Sequence, residues 1–323
     1  MSNPVLLFPG QGSQEVGMGA EIAAHSPAAA AIFRQADAIL DFPLSELCFQ
    51  GPEETLTDTI NVQPALLTSA IAALRAVEEK LGRPIQAAAA AGHSLGEYTA
   101  LVAAGALSFE DALRLVRERG RLMKLAGERA PGGMAAIIAL DTEKIAAICQ
   151  QASDEMNGPV VIANDNCPGQ VVISGDEAAL GRAMALATEA RARKVVRLAV
   201  SIAAHSPLMG TVQEAFSAAV AQATIKPPNF PIIANISAQP MQDVTAIRQE
   251  LNAQLQSAVQ WTQSMQYLIA QGHQQFIEFG PGKVLAGLMK RVDRRFRKMP
   301  AVVTWENVLT VADLLADEHH QPA

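Results

Sequence analysis

The sequence predicts an α/β fold: a parallel sheet flanked by helices, interrupted by a small inserted α+β unit. Three observations predict it. Short apolar runs give way to Gly- or Pro-marked turns and then to helical periodicity around residues 5–10, 84–96 and 275–284. Between residues 134 and 199 shorter strand and helix patterns follow one another in the order β-α-β-β-α-β. From residue 232 onward the first rhythm resumes.

Taken in order, Val5-Leu6-Leu7-Phe8 stopped by Pro9-Gly10 reads as a buried strand entering a loop. Residues 20–40 and 63–80 carry helical patterns, the second with a proline at its start. A small-residue run over 84–91 ends at Gly92, after which the pattern is helical through Ala104. Ser108 suits the N-cap of a helix over 109–127. Strands are then expected at 134–140, 159–164, 170–174 and 194–199, with helices at 142–156 and 176–191. That order is the split βαβ, or ferredoxin-like, unit. A strand at 232–236, helical segments around 245–271 and a strand at 275–279 follow; Gly280-Pro281-Gly282 turns the last into a helix over 284–291. The predicted organisation is a core of residues 1–129 and 199–310, a subdomain of 130–198, and a polar tail of 311–323 that frays.

Half of the 323 residues are hydrophobic, enough for a large core and about two domains. Mean hydropathy is +0.15, but much of the apolar content is alanine. No run of about 18 strongly apolar residues occurs, so no membrane span is expected. The segment from Met1 to Phe8 lacks the basic start of a secretory signal. A net charge of −7 argues against nucleic acid as a partner. Cys48, Cys149 and Cys167 are too few and too scattered for a disulfide framework or a zinc site, which points to the cytoplasm and to no metal.

The chemistry starts at Gly92-His93-Ser94-Leu95-Gly96, a Gly-x-Ser-x-Gly nucleophile elbow with a strand before it and a helix after it. The glycines permit a tight turn that aims the Ser94 hydroxyl outward, and the Leu95 N–H at the helix start is free to hold an oxyanion. A serine needs a base. Among six histidines, His319 and His320 lie in the tail, His25 and His273 sit near helix ends, and His93 should point away from the serine. His205 remains, after the last strand of the inserted unit; the alternative is that it only caps a helix. On the 109–127 helix, Leu115, Val116, Leu122 and Met123 surround Arg119 at helical spacing, placing a cation in the apolar stripe. It meets either an internal carboxylate such as Glu97 or the free carboxylate of a dicarboxylic acyl substrate. The Gly-rich loop Pro9-Gly10-Gln11-Gly12-Ser13-Gln14 fits neither a phosphate loop nor a dinucleotide fingerprint; taken alone it reads as an ordinary strand-to-helix turn, but it lies where the Gln11 N–H would serve as a second oxyanion donor.

Phe8 through Gln14, Gly92 through Tyr98, Arg117-Glu118-Arg119-Gly120, Asn164 through Gly175, His205 in its loop, Gln260-Trp261 and Glu278 through Leu285 together resemble the bacterial malonyl-CoA:acyl carrier protein transacylases. The similarity runs nearly end to end in the same order. It implies an α/β-hydrolase-like core with a ferredoxin-like insert, Ser94 as nucleophile, His205 as base, and an oxyanion hole of the Gln11 and Leu95 N–H groups. Arg119 would bind the malonyl carboxylate, and the backbone carbonyl of Gln254, seven residues before Trp261, would orient the histidine. The substrates implied are a coenzyme A thioester and a phosphopantetheinylated acyl carrier protein, with no further cofactor, in a monomer. Ala204 departs from the bulky Phe that many relatives carry before this histidine, which leaves room for a 2-substituted malonyl group or for another side chain. Lys290, Arg291, Arg294, Arg295, Arg297 and Lys298, or Arg191, Arg193 and Lys194, are candidate docking patches for an acidic carrier. Rival readings are an acyl hydrolase acting on carrier proteins, the malonyl-loading subunit of a malonate decarboxylase, and a scaffold with a vestigial site.

Overall fold

The computed structural model describes residues 3–317. The chain opens with β1 (Val5–Phe8), then α1 (Ala20–His25), α2 (Pro27–Leu40), α3 (Leu44–Gln50), α4 (Glu53–Thr57) and α5 (Thr59–Leu81). β2 (Ala89–Gly92), α6 (Gly96–Ala103) and α7 (Phe109–Arg129) follow. A second unit comprises β3 (Gly132–Ile138), α8 (Thr142–Met156), β4 (Val160–Cys167), β5 (Gln170–Asp176), α9 (Glu177–Glu189) and β6 (Lys194–Arg197). The chain then continues with α10 (Gln213–Gln222), β7 (Ile232–Ile233), β8 (Pro240–Met241), α11 (Val244–Ala253) and α12 (Trp261–Ala270). It closes with β9 (Phe276–Phe279), α13 (Val284–Val292), β10 (Ala301–Val302) and α14 (Trp305–Asp317).

The larger sheet has the order β10-β9-β1-β2-β7-β8, parallel except for β8. Its central strands are covered on both faces, which is why they read as unbroken apolar runs. Leu6, Phe8 and Ala90 pack with residues of α5, whereas Val5, Leu7, Ala89 and Ala91 pack with Trp261, Met265 and Leu285 on the opposite face. Phe8 pairs with Gly92, so the loops after β1 and β2 emerge side by side at the carboxyl edge. The second sheet, β4-β5-β3-β6, is antiparallel and carries α8 and α9, the ferredoxin-like arrangement. β4 of this sheet also meets the extended segment before α12, where Asn164 bridges Val259.

α5 is long and apolar enough to cross a membrane by length and composition, but 83% of that window is buried within the protein. It starts earlier than predicted, at Thr59, because the Asp58 carboxylate accepts from the Ile60 N–H and caps it. Pro64 therefore lies inside the helix, where its missing N–H removes a single bond to the preceding turn.

Elsewhere the structure corrects the sequence reading. The 20–40 pattern breaks into two helices at Ser26-Pro27: Ser26 is extended, its hydroxyl caps the Ala29 N–H, and the proline takes the first helical position. The 245–271 pattern is interrupted by a 3-10 turn at Gln254–Gln256 and an extended segment before Trp261. The tail expected from residue 311 is instead part of α14 as far as Asp317, because Val311, Ala312 and Leu315 repeat at helical spacing and are buried in the core. The rest of that expected tail, with His319 and His320, lies outside the described residues.

Candidate active site

Ser94 sits between β2 and α6 at φ +51°, a left-handed conformation that a serine adopts only when its surroundings enforce it. The enforcement is steric. A Cβ on Gly92 would fall 1.9 Å from the backbone of Gly96, and one on Gly96 would fall 2.0 Å from the Phe8 carbonyl. Strand, elbow and the loop after β1 thus meet at contact distance, and only glycine fits at both positions.

His205 follows β6 in a loop and also has a positive φ, of 58°. Its Nε2 lies 2.8 Å from Ser94 Oγ. Its Nδ1 faces two carbonyls, Gln254 O and Ser257 O, each at 3.0 Å. Carbonyls only accept, so the proton sits on Nδ1 and Nε2 is left to accept from the serine hydroxyl. Burial, and then the charge of Arg119, push the imidazole pKa down to about 3. The neutral form is therefore held across the physiological range.

Arg119 enters from α7 with no solvent exposure. Its Nη1 donates to Gln63 Oε1 at 2.8 Å, and its Nη2 donates to Ser94 Oγ at 3.1 Å and Gln254 Oε1 at 3.0 Å. The guanidinium also lies over the Tyr98 ring, 5.4 Å from its centroid. Burial pulls its pKa below the usual arginine value. The direct pair with Glu97, one of the two readings of Arg119 that the sequence left open, does not form: the Gln254 carboxamide stands between them, its oxygen toward Arg119 and its nitrogen toward Glu97 Oε2. Among the described residues Arg119 Nε has no acceptor within hydrogen-bond geometry.

Gln11 and Leu95 flank this cluster. The Gln11 side chain is tied to Thr59 Oγ1 at 3.0 Å, while its backbone N–H has no acceptor among the described residues. The N–H of Leu95, a fully buried residue, is likewise unmatched among the described residues. His93 points away from Ser94, to Asn166 Oδ1 of β4 at 2.8 Å, with its ring 5.5 Å from that of Trp261. All six residues singled out in the sequence are at this site: Ser94, His205, Arg119 and Gln254 in direct contact, Leu95 at the elbow, and Gln11 in the adjacent loop.

Sequence reasoning missed Gln63, Ser257 and Asn235. Gln63 had a signal, since it sits one residue before Pro64 near the helix start facing α7. Ser257 acts through a carbonyl, which leaves no trace in residue type. Asn235 lies just past β7, beside the elbow because β7 pairs with β2. Its Oδ1 accepts from the Ser94 N–H at 2.7 Å and its Nδ2 donates to Gly92 O at 2.7 Å. Glu97 Oε1 in turn accepts from both the N–H and the Nδ2 of Asn235, at 2.8 and 3.0 Å. Burial and the neighbouring Glu250 push Glu97 well above the usual carboxylate range, and burial takes Glu250 up to about 7. Three N–H donors converge on Glu97, two from Asn235 and one from Gln254.

A nucleophilic serine, a neutral imidazole with a fixed tautomer, two free N–H groups and a buried cation make an arrangement for moving an anionic acyl group. Comparison with known proteins agrees. A model of the acyl transferase domain family matches residues 5–305. The malonyl CoA-acyl carrier protein transacylase of Bacillus subtilis (strain 168) is 44% identical over 319 residues, 99% of both chains. That of Salmonella typhimurium is 43% identical over 293 residues, 90% of this chain and 93% of its own. Among solved structures, the transacylase of the same name from Coxiella burnetii superposes with a TM-score of 0.93 at 39% identity, covering 98% of this chain and 99% of that one. A malonyl-transacylase in complex with a type II PKS acyl-carrier protein superposes with a TM-score of 0.92 at 38% identity, covering 97% and 100%. The chain belongs to the acyl transferase domain family.

Proposed function

We propose that this acyltransferase moves a malonyl group from malonyl-CoA to the phosphopantetheine thiol of an acyl carrier protein, through an acyl ester on Ser94. The observation that carries the reading is the position of Ser94 Oγ, in hydrogen-bond contact with both His205 Nε2 and Arg119 Nη2. A nucleophile that touches its base and a buried cation at once suits a substrate with an electrophilic carbonyl at one end and a carboxylate at the other. The names of the relatives support the same substrates.

In this mechanism His205 Nε2 takes the Ser94 proton as Oγ attacks the thioester carbonyl, and the oxyanion is held by the Gln11 and Leu95 N–H groups. The proton then goes to the departing coenzyme A sulfur, leaving O-malonyl serine. The carrier thiol reverses these steps. The carbonyls of Gln254 and Ser257 keep the imidazole in its working tautomer without a carboxylate. Arg119 holds the malonyl carboxylate and gives up its bond to Ser94 Oγ as it does so. An acetyl group would offer no acceptor to the Arg119 donor released from Ser94 Oγ, a cost of about 1–3 kcal/mol. The hydrolase alternative gives this buried cation nothing to bind. We place the protein in the cytoplasm as a monomer, where its free buried cysteines stay reduced. Docking of an acidic carrier falls to one of the exposed basic groups at 290–298 or 191–194.

Initial rates measured against malonyl-CoA at several fixed concentrations of holo carrier protein test the reading. Parallel double-reciprocal lines are expected from a ping-pong enzyme. Intersecting lines would sink the acyl-serine route, and release of free malonate as the main product would favour the hydrolase.

The same geometry sets the pH dependence. Because burial and Arg119 hold the free-enzyme imidazole near 3, kcat/KM for malonyl-CoA should show no acid limb for His205 between about pH 5 and 8. A bound malonyl carboxylate offsets the Arg119 charge, so the acid limb of kcat should lie at higher pH than that of kcat/KM. In stability the sign is opposite to that of a paired histidine. The unfolded chain takes up a proton near about pH 6.5, whereas the native site does so only near 3. The contribution of His205 to stability therefore falls as pH drops through that window. A kcat/KM profile breaking near the ordinary histidine value would contradict the depression of the imidazole pKa by burial and Arg119.

A further inference from the structure

Two peptide planes flank the Cα of Ser94, and each is gripped by a carboxamide. The N–H of the plane before it donates to Asn235 Oδ1 at 2.7 Å. The carbonyl of the plane after it, Ser94 O, accepts from Gln254 Nε2 at 3.1 Å. In a trans peptide the N–H points opposite to the carbonyl. Holding Ser94 O on the Gln254 side therefore aims the Leu95 N–H the other way, and that N–H has no partner among the described residues. The Ser94 N–H, in contrast, is consumed by Asn235 and is withdrawn from the acyl group.

Both carboxamides are oriented by one side chain. Glu97 Oε1 accepts from the Nδ2 and the backbone N–H of Asn235, and Glu97 Oε2 accepts from Gln254 Nε2. With its nitrogen facing Glu97, Asn235 must turn its oxygen to the Ser94 N–H. Gln254, anchored the same way, must turn its oxygen to Arg119. Glu97, Asn235 and Gln254 are all buried, so water does not compete for these bonds.

We propose that Glu97 and Asn235 are positioning residues for the nucleophile: Glu97 sets the orientation of two carboxamides that clamp the peptides on either side of Ser94, so that the Leu95 N–H alone is presented at the elbow as oxyanion donor. The inference rests on the reading of Ser94 as the acylated residue. The oxyanion is common to every acyl group, so the clamp serves acylation by malonyl-CoA and by acetyl-CoA alike, and it acts on kcat rather than on substrate affinity.

Single-turnover acylation of Asn235→Ala and of the isosteric Glu97→Gln, each with malonyl-CoA and acetyl-CoA, tests this. For Asn235→Ala a roughly 30-fold loss in the acylation rate constant is expected, and for Glu97→Gln roughly 10-fold, the scale of a misaligned oxyanion donor. KM for malonyl-CoA should stay within about twofold, and the malonyl-to-acetyl ratio should be unchanged. A folded variant that acylates at the wild-type rate, or whose loss lies wholly in KM, would overturn the proposal. So would a loss confined to malonyl-CoA, which would assign the network to Arg119 alone. If Asn235→Ala does not yield folded protein, Glu97→Gln, which preserves volume, decides the question. Peptide mapping of the wild-type adduct separates the two claims, since acylation away from Ser94 would remove the underlying reading rather than the clamp.

Discussion

Ser94→Ala is expected to abolish the covalent acyl-enzyme and to lower transfer from malonyl-CoA by about a million-fold, the loss seen when a nucleophile that works as one unit with its base is deleted. The substitution removes one oxygen and leaves His205, Arg119 and the free N–H groups where they are, so the protein should still bind malonyl-CoA. At φ +51° alanine is no more strained than serine, because each carries a single Cβ, and the fold should persist. The check is transfer to holo carrier protein alongside a melting curve. Transfer by a folded Ser94→Ala protein above about one per cent of the wild-type rate would show that the chemistry does not pass through this hydroxyl.

Arg119→Ala is expected to invert substrate preference. Malonyl labelling should fall by about 10²–10³-fold, because the substrate carboxylate would enter a buried site with no cation to meet it. Acetyl labelling should fall far less, and relative to malonyl should rise. The variant also strands the oxygens of Gln63 and Gln254, which accept from Arg119 in the native protein. Each unmatched acceptor costs about 1–3 kcal/mol, so a lower melting temperature should accompany the change. Arg119→Lys keeps the charge but loses the planar fork, and should recover only part of the malonyl activity. Equal losses for malonyl- and acetyl-CoA would mean that Arg119 supports the site without reading the carboxylate.

The sequence and the folded chain agree best where local chemistry and periodicity coincide. The elbow was legible because a strand, two glycines around a serine and a helix leave few other uses for that order. The β-α-β-β-α-β run was legible because each piece is short, periodic and bounded. Arg119 stood out because a cation in an apolar stripe is costly wherever it lies. What it touches was not legible: its partners Gln63 and Gln254 come from α5 and from the turn after α11, and only tertiary folding joins them.

The misses have physical causes of the same kind. The break at Gln254–Gln256 is hidden in a helical composition, because it is made by carbonyls that must reach His205 rather than by helix-breaking residues. Asn235 carries no sequence mark at all; its importance follows from β7 lying against β2. At α14, the polar residues of the stretch after Val311 suggested a frayed end, and helical spacing of the apolar ones was the stronger signal.

The most direct test of the account is the mass of the protein trapped a few seconds after mixing with malonyl-CoA, followed by addition of holo carrier protein. One malonyl adduct is expected, located on Ser94 by peptide mapping, that disappears as the carrier gains the same mass. An adduct that decays to free malonate without loading the carrier, or carrier loading with no adduct on Ser94, would contradict it.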